Sequence, residues 1–118
     1  MKRVLIVDDT AFMRLSIRTM LEKNGFEVAG EAENGEASIK KFEELSPDLV
    51  TMDITMPKMN GIEAVKAIRH CNPDAKVLMI TAMGQEGMVR EAILAGAKGF
   101  LVKPFREQDI ITAMNKII

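Results

Sequence analysis

Five short strand-like runs alternate with five helical stretches, and this alternation restricts the fold more than any single motif does. The first run, Val4-Leu5-Ile6-Val7, is wholly apolar and reads as a strand buried on both faces. Met13, Ile17, Met20 and Leu21 then recur at helical spacing until Asn24-Gly25 supplies a left-handed stop. Glu27 to Glu31 is short and partly polar, as an edge strand is. Asn34-Gly35 opens a second helix whose buried face would include Ile39 and Phe42, and Ser46-Pro47 closes it. The third strand, Leu49 to Asp53, leads into a turn-rich stretch through Pro57, Asn60 and Gly61. Ile62, Val65 and Ile68 mark a third helix that Asn72-Pro73 ends. A fourth strand covers Val77 to Thr81, and a fourth helix runs from Gln85 to Ala95 and stops at Gly96. The fifth strand, Gly99 to Val102, breaks at Lys103-Pro104. The last helix carries Ile110, Ala113, Met114 and Ile117 at i, i+3, i+4 and i+7.

Strands and helices in strict alternation imply right-handed crossovers and a parallel sheet covered on both faces. The expected architecture is therefore α/β, a doubly wound (βα)5 sheet of the flavodoxin-like kind, with strand order 2-1-3-4-5. At 118 residues the chain reads as one domain, residues 1–118, able to bury roughly two-thirds of its unfolded surface. Ligands of such sheets sit beyond the carboxyl ends of the strands where the winding reverses, here between strands one and three. Those two strands end in Asp8-Asp9 and in Asp53. Capping of the next helix would account for Asp8 and Asp9 alone, but not for a third acid arriving from a distant strand. Two carboxylates about 4 Å apart repel by roughly 4 kcal/mol at an effective dielectric near 20, so the group needs water, a proton or a cation.

Composition narrows the chemistry. With 16 basic and 17 acidic residues the net charge is -1, which leaves no nucleic-acid or membrane-surface footprint. Lys2 and Arg3 precede only four apolar residues, too few for a signal sequence or membrane span, so a cytoplasmic location is expected. The single cysteine, Cys71, cannot form an internal disulfide and is expected to be an inert, packed thiol. His70 and Cys71 are neighbours on a helix and no second histidine exists, so both read as structural or surface residues. Ten methionines without tryptophan or tyrosine imply a core filled by thioethers and aliphatics.

The carboxyl edge also receives Thr81 from strand four and Lys103 from strand five. Clustered carboxylates without histidine or thiolate suit a hard ion such as Mg²⁺. A phosphoryl group could enter so acidic a site if the metal neutralised its oxygens while Lys103 and the Thr81 hydroxyl took the others. One carboxylate would then be free to act as nucleophile.

These residues, in VLIVDD, VTMDITMPKMNG, the strand ending Thr81-Ala82, and GAKGFLVKPF, resemble the receiver domains of two-component signalling over the whole chain. The resemblance is greatest to single-domain chemotaxis response regulators of the CheY type. It implies that Asp53 is the phosphoryl acceptor, Asp9 a direct Mg²⁺ ligand and Asp8 a water-mediated one, with Thr55 lending its backbone carbonyl. It further implies that Thr81 is the switch hydroxyl, Phe100 the aromatic rotamer switch and Lys103 the phosphate partner, with Lys103-Pro104 cis. The implied input is a chemotaxis histidine kinase and the implied output the flagellar-motor switch protein. Met88, Val89, Lys98, Phe100 and Arg106 lie on segments that would form the output face. Because the chain ends after its fifth helix, a protein contact made by a monomer is the expected output.

Two positions depart from some chemotaxis receivers. Phe100 lacks a tyrosine hydroxyl, so switching would rest on ring packing. Thr55 and Met83 flank the path of attacking water, and the apolar Met83 cannot orient it, so slow self-dephosphorylation and reliance on a separate phosphatase are expected. A phosphorelay intermediate or another free-standing receiver is an alternative within the class. A small phosphohydrolase with an aspartyl-phosphate intermediate would use the same residue types, but such enzymes place a DxD-type motif on the first strand and need a cap. A dinucleotide site is weaker still, because Asp8-Asp9-Thr10-Ala11 replaces a glycine-rich turn. The chain is thus expected to be a signalling switch rather than an enzyme in the ordinary sense.

Overall fold

The computed structural model describes residues 1–118, the side chain of Glu86 aside. Strands β1 (Arg3–Val7), β2 (Glu27–Ala32), β3 (Leu49–Asp53), β4 (Val77–Ala82) and β5 (Gly99–Lys103) form a parallel sheet in the order β2-β1-β3-β4-β5. They alternate with α1 (Ala11–Lys23), α2 (Gly35–Leu45), α3 (Gly61–Cys71), α4 (Glu86–Leu94) and α5 (Glu107–Ile117). Order and direction are those expected. Boundaries move by a residue; β5, for instance, continues through Lys103.

Local chemistry accounts for most helix ends. The Asn34 side chain accepts from the Ala37 amide at 2.8 Å, and Asn60 and Glu63 form a reciprocal capping box at the start of α3. Gly25 and Gly96 adopt left-handed φ of 85° and 114°, where α1 and α4 give way to β2 and β5. Ser46 closes α2 in the same left-handed region, at φ 46°.

Side-chain alternation along the strands builds two cores, one on each side of the sheet. On one side Val4, Ile6, Leu49, Leu78 and Ile80 meet Ile17 and Leu21 of α1 and Ile110 and Met114 of α5. On the other, Leu5, Val7, Val50, Met52, Val77 and Met79 meet Phe42 of α2, Ile62, Val65 and Ile68 of α3, and Ala92 of α4. The central strands β1 and β3 are therefore wrapped on both sides, as their continuous apolar runs require.

Two expectations need correction. The sheet is not covered on both faces throughout: at the β5 edge Phe100 and Val102 are exposed, 51% and 39%. Between that edge and the start of α4 lies an unfilled recess lined by Gln85, Val89, Phe100 and Val102. Ile39, expected on the buried face of α2, packs against the core beside Phe42 while keeping part of its surface exposed. Cys71 is exposed rather than packed; it is the last residue of α3, where the helix leaves the core. His70 is exposed beside it.

Candidate functional site

Register brings the acids together. Val7 of β1 pairs with Met52 of β3, so Asp8 and Asp53 emerge side by side at the carboxyl edge of the sheet. Carboxylate oxygens of Asp8, Asp9 and Asp53 all lie within 4.8 Å of one another. Asp8 and Asp53 are buried and Asp9 is exposed. Lys103, whose neighbour in β4 is Ala82, reaches across with Nζ 3.3 Å from Asp8 Oδ2 and 3.6 Å from Asp53 Oδ1.

Asp8 is also held locally. Its Oδ1 accepts from the Thr10 amide at 2.9 Å and the Thr10 hydroxyl at 3.0 Å, while Arg14 donates to its backbone carbonyl at 2.6 Å. The capping role therefore belongs to Thr10, the residue that N-caps α1, and Asp8 shapes the turn before it. One ammonium among three carboxylates leaves net negative charge in a poorly solvated place. Burial pushes the Asp53 carboxyl up to about 6, the Asp8 charge adds to the rise, Lys103 opposes it, and Asp9 contributes a smaller push.

The backbone beneath Asp53 is tightly packed. A side-chain carbon on Gly61 would collide with the Asp53 carbonyl oxygen and crowd Ile54 Cα, and the Gly61 amide donates to the Ile54 carbonyl at 2.8 Å. The Asn-Gly pair that opens α3 is thus a close-approach requirement as well as a cap.

Thr81 is buried at the end of β4, on the α4 side of the sheet. Its hydroxyl donates to Gln85 Oε1 at 2.8 Å; the same oxygen accepts the Ala82 amide at 2.9 Å, and Gln85 Nε2 donates to the hydroxyl oxygen of exposed Thr55 at 2.8 Å. Behind Thr81 lies a recess of about 160 Å³ lined by Thr81, Ala82, Gln85, Val89, Phe100 and Val102. Phe100 stands at its edge, half in solvent. A larger groove, about 470 Å³, continues from Phe100 and Lys98 along β5 and α5. Met88 and Val89 are half-buried against the core, and Arg106 opens α5 in an ion pair with Asp109 at 3.4 Å, outside the lining of both hollows. Met83 is largely exposed.

Lys103-Pro104 is cis. The Cys71 thiol donates to Glu43 Oε1 at 3.4 Å, and that neighbour raises its pKa, which disfavours the reactive thiolate. Sequence reasoning does not single out Gln85, Arg14 or the packing role of Gly61. Gln85 and Arg14 carry no spacing that would mark them, since each acts through one three-dimensional contact set.

Comparison with known proteins agrees with this arrangement. Residues 4–115 match the family described as response regulator receiver domain. The chain is 57% identical to the chemotaxis protein CheY of Thermotoga maritima, over 98% of this chain and 97% of that protein. It is 56% identical to CheY of Bacillus subtilis with the same coverage. Among solved structures, a CheX–CheY–BeF3–Mg complex from Borrelia burgdorferi superposes with a TM-score of 0.94 at 35% identity, covering 98% of this chain and 88% of that one. With the acids, the lysine and the strand-four threonine on one sheet edge, the chain belongs to the response regulator receiver family and is a receiver of the CheY type.

Proposed function

We propose that the chain is one receiver domain, residues 1–118, working as a phosphorylation-controlled chemotaxis switch with Asp53 as the phosphoryl acceptor. The observation that carries this reading is the convergence of Asp8, Asp9 and Asp53 within 4.8 Å, with Lys103 Nζ 3.6 Å from the Asp53 carboxylate. The donor set fits Mg²⁺: all oxygen, no histidine or thiolate, and more negative charge than Lys103 offsets. Asp9, Asp53 and the Thr55 carbonyl would hold the ion directly. Asp8, already bound by Thr10 and Lys103, would act through water. When bound, Mg²⁺ neutralises phosphoryl oxygens that the three acids would otherwise repel.

The protein's own part is positioning. Asp53 is fixed by its strand and by the Gly61 contact, so its carboxylate can meet a donor's phosphorus in line. An Asp53 oxygen forms the bond to phosphorus as the donor's leaving group departs, and Lys103 turns from the carboxylate to the transferred oxygens. Thr81 supplies a hydroxyl proton to the same group. Its inward movement lets Phe100 swing into the recess behind it, which alters the surface made by α4, β5 and the start of α5. Met88, Val89, Lys98, Phe100 and Arg106 provide that output surface, read by a flagellar-motor switch protein. A chemotaxis histidine kinase supplies the phosphoryl group, and a separate phosphatase removes it, because Met83 offers attacking water no hydrogen bond. Among the described residues no helix is long and apolar enough to cross a membrane. The switch would act in the cytoplasm as a monomer.

The test is incubation with acetyl phosphate and Mg²⁺, read by intact mass. A single adduct is expected, absent in Asp53→Asn and after chelation of Mg²⁺. Multiple turnover of varied phosphate esters without an adduct would instead establish a hydrolase. Equal affinity of a motor-switch peptide for both phosphorylation states would overturn the switch reading, since such a ligand cannot distinguish two conformations.

A further inference from the structure

We infer that Gln85 is a latch: its side-chain amide ties the Thr81 hydroxyl to the rim of the β3–α3 loop and holds the unphosphorylated state. The inference rests on the switch function proposed for Thr81. A threonine hydroxyl has one proton, and here it is directed to Gln85 Oε1 at 2.8 Å, with the Ala82 carbonyl at 3.3 Å as the only other acceptor within reach among the described residues. Thr81 therefore cannot donate to a phosphoryl oxygen on Asp53 without surrendering the amide. The orientation of the amide is fixed independently. Oε1 accepts the Ala82 backbone N–H at 2.9 Å, and a backbone amide can only donate. Nε2 is then left to donate to Thr55 at 2.8 Å, thirty residues away in sequence.

One side chain thus spans the two loops that flank the site, and its three contacts cannot all persist once Thr81 moves. Gln85 is a positioning residue: it touches neither the acceptor nor the metal ligand atoms, and acts by holding another group in its resting place. It also lines the recess that Phe100 would enter, so the same amide holds the hydroxyl and walls the space behind it. Release of the latch returns the exposed Ala82 N–H to water, and the Gln85 amide is itself only half-buried, so neither group is stranded without a partner.

The test is the affinity of the protein for BeF3⁻ with Mg²⁺, a stable mimic of the aspartyl phosphoryl group, measured by calorimetry. Gln85→Met keeps the side-chain length and removes all three hydrogen bonds. Loss of the one bond that must break predicts BeF3⁻ binding tighter by about fivefold. Thr55→Val releases only the Nε2 end and is expected to tighten binding less, in the same direction. In a Thr81→Ala background, Gln85→Met should change affinity by less than about twofold, because no hydroxyl remains to be held. Unchanged or weaker binding in Gln85→Met, or an equal gain with and without Thr81, would overturn the latch. Failure of the underlying switch reading looks different: the unmodified protein would bind no BeF3⁻, or would bind it equally well as Asp53→Asn. Circular dichroism of each variant at the assay temperature separates loss of fold from loss of latch.

Discussion

Replacing Asp53 with asparagine is expected to stabilise the metal-free protein at neutral pH. Asp53 sits 6% exposed, with its carboxyl raised from 3.8 to about 6 by burial first and by Asp8 second. At about 1.4 kcal/mol per pKa unit, the charged form is disfavoured in the folded protein by about 3 kcal/mol. A group whose folded pKa lies above its unfolded one binds more protons when folded, so stability falls as pH rises from about 4 to about 6 and then levels off. The neutral amide of Asp53→Asn would remove that penalty above pH 6 and confer no such advantage below pH 4. For a chain of this size the gain corresponds to a rise in melting temperature of roughly 10 °C. Calorimetry of both proteins with EDTA, at pH 7.5 and at pH 4, measures it. A variant that is less stable at pH 7.5, or a gain of equal size at both pH values, would refute the view that burying a charged Asp53, first by its desolvation and second by its repulsion from Asp8, is the dominant strain.

Three further outcomes follow from the same geometry. Mg²⁺ at a hundredfold excess over its dissociation constant should stabilise the wild type by about 2.7 kcal/mol in thermal melts, and Asp9→Asn should lose most of that response while keeping the metal-free fold, because Asp9 is exposed. Gly61→Ala should displace the end of β3 and reduce phosphorylation of Asp53 from acetyl phosphate at least tenfold, as followed by intact mass, since the added carbon meets the Asp53 carbonyl. Among the described residues the buried Thr51 hydroxyl has no hydrogen-bond partner, so Thr51→Val, of the same shape, should raise stability to urea by about 1 kcal/mol without changing phosphorylation.

The strands were legible because β1, β3 and β4 are buried on both sides and so read as unbroken apolar runs, while Asn34, Asn60, Gly25 and Gly96 punctuate the helices with side chains or φ values that serve only there. The cluster of Asp8, Asp9 and Asp53 was legible for a topological reason: a doubly wound sheet makes β1 and β3 neighbours, and all three acids lie at their carboxyl ends. What escaped sequence reading was set by side-chain reach and by how closely α4 seats on the sheet edge. Nothing in the run from Thr81 to Gln85 announces that the glutamine folds back onto the hydroxyl and then across to Thr55. Nor does the periodicity of α4 disclose that a recess remains between the helix and Phe100 and Val102, which leaves one edge of the sheet partly open where full cover was expected. Cys71 misled for a similar reason, because a cysteine is buried more often than not, and this one ends a helix.

Everything assigned to the switch depends on the phosphoryl group residing on Asp53 rather than on Asp8 or Asp9. Borohydride reduction of protein treated with acetyl phosphate and Mg²⁺ converts an aspartyl phosphate to homoserine, and peptide mass mapping then locates it. Homoserine at position 53, and at no other aspartate, is the predicted result. Homoserine at Asp8 or Asp9, or none under conditions that consume the acetyl phosphate, would contradict the role given to Asp53.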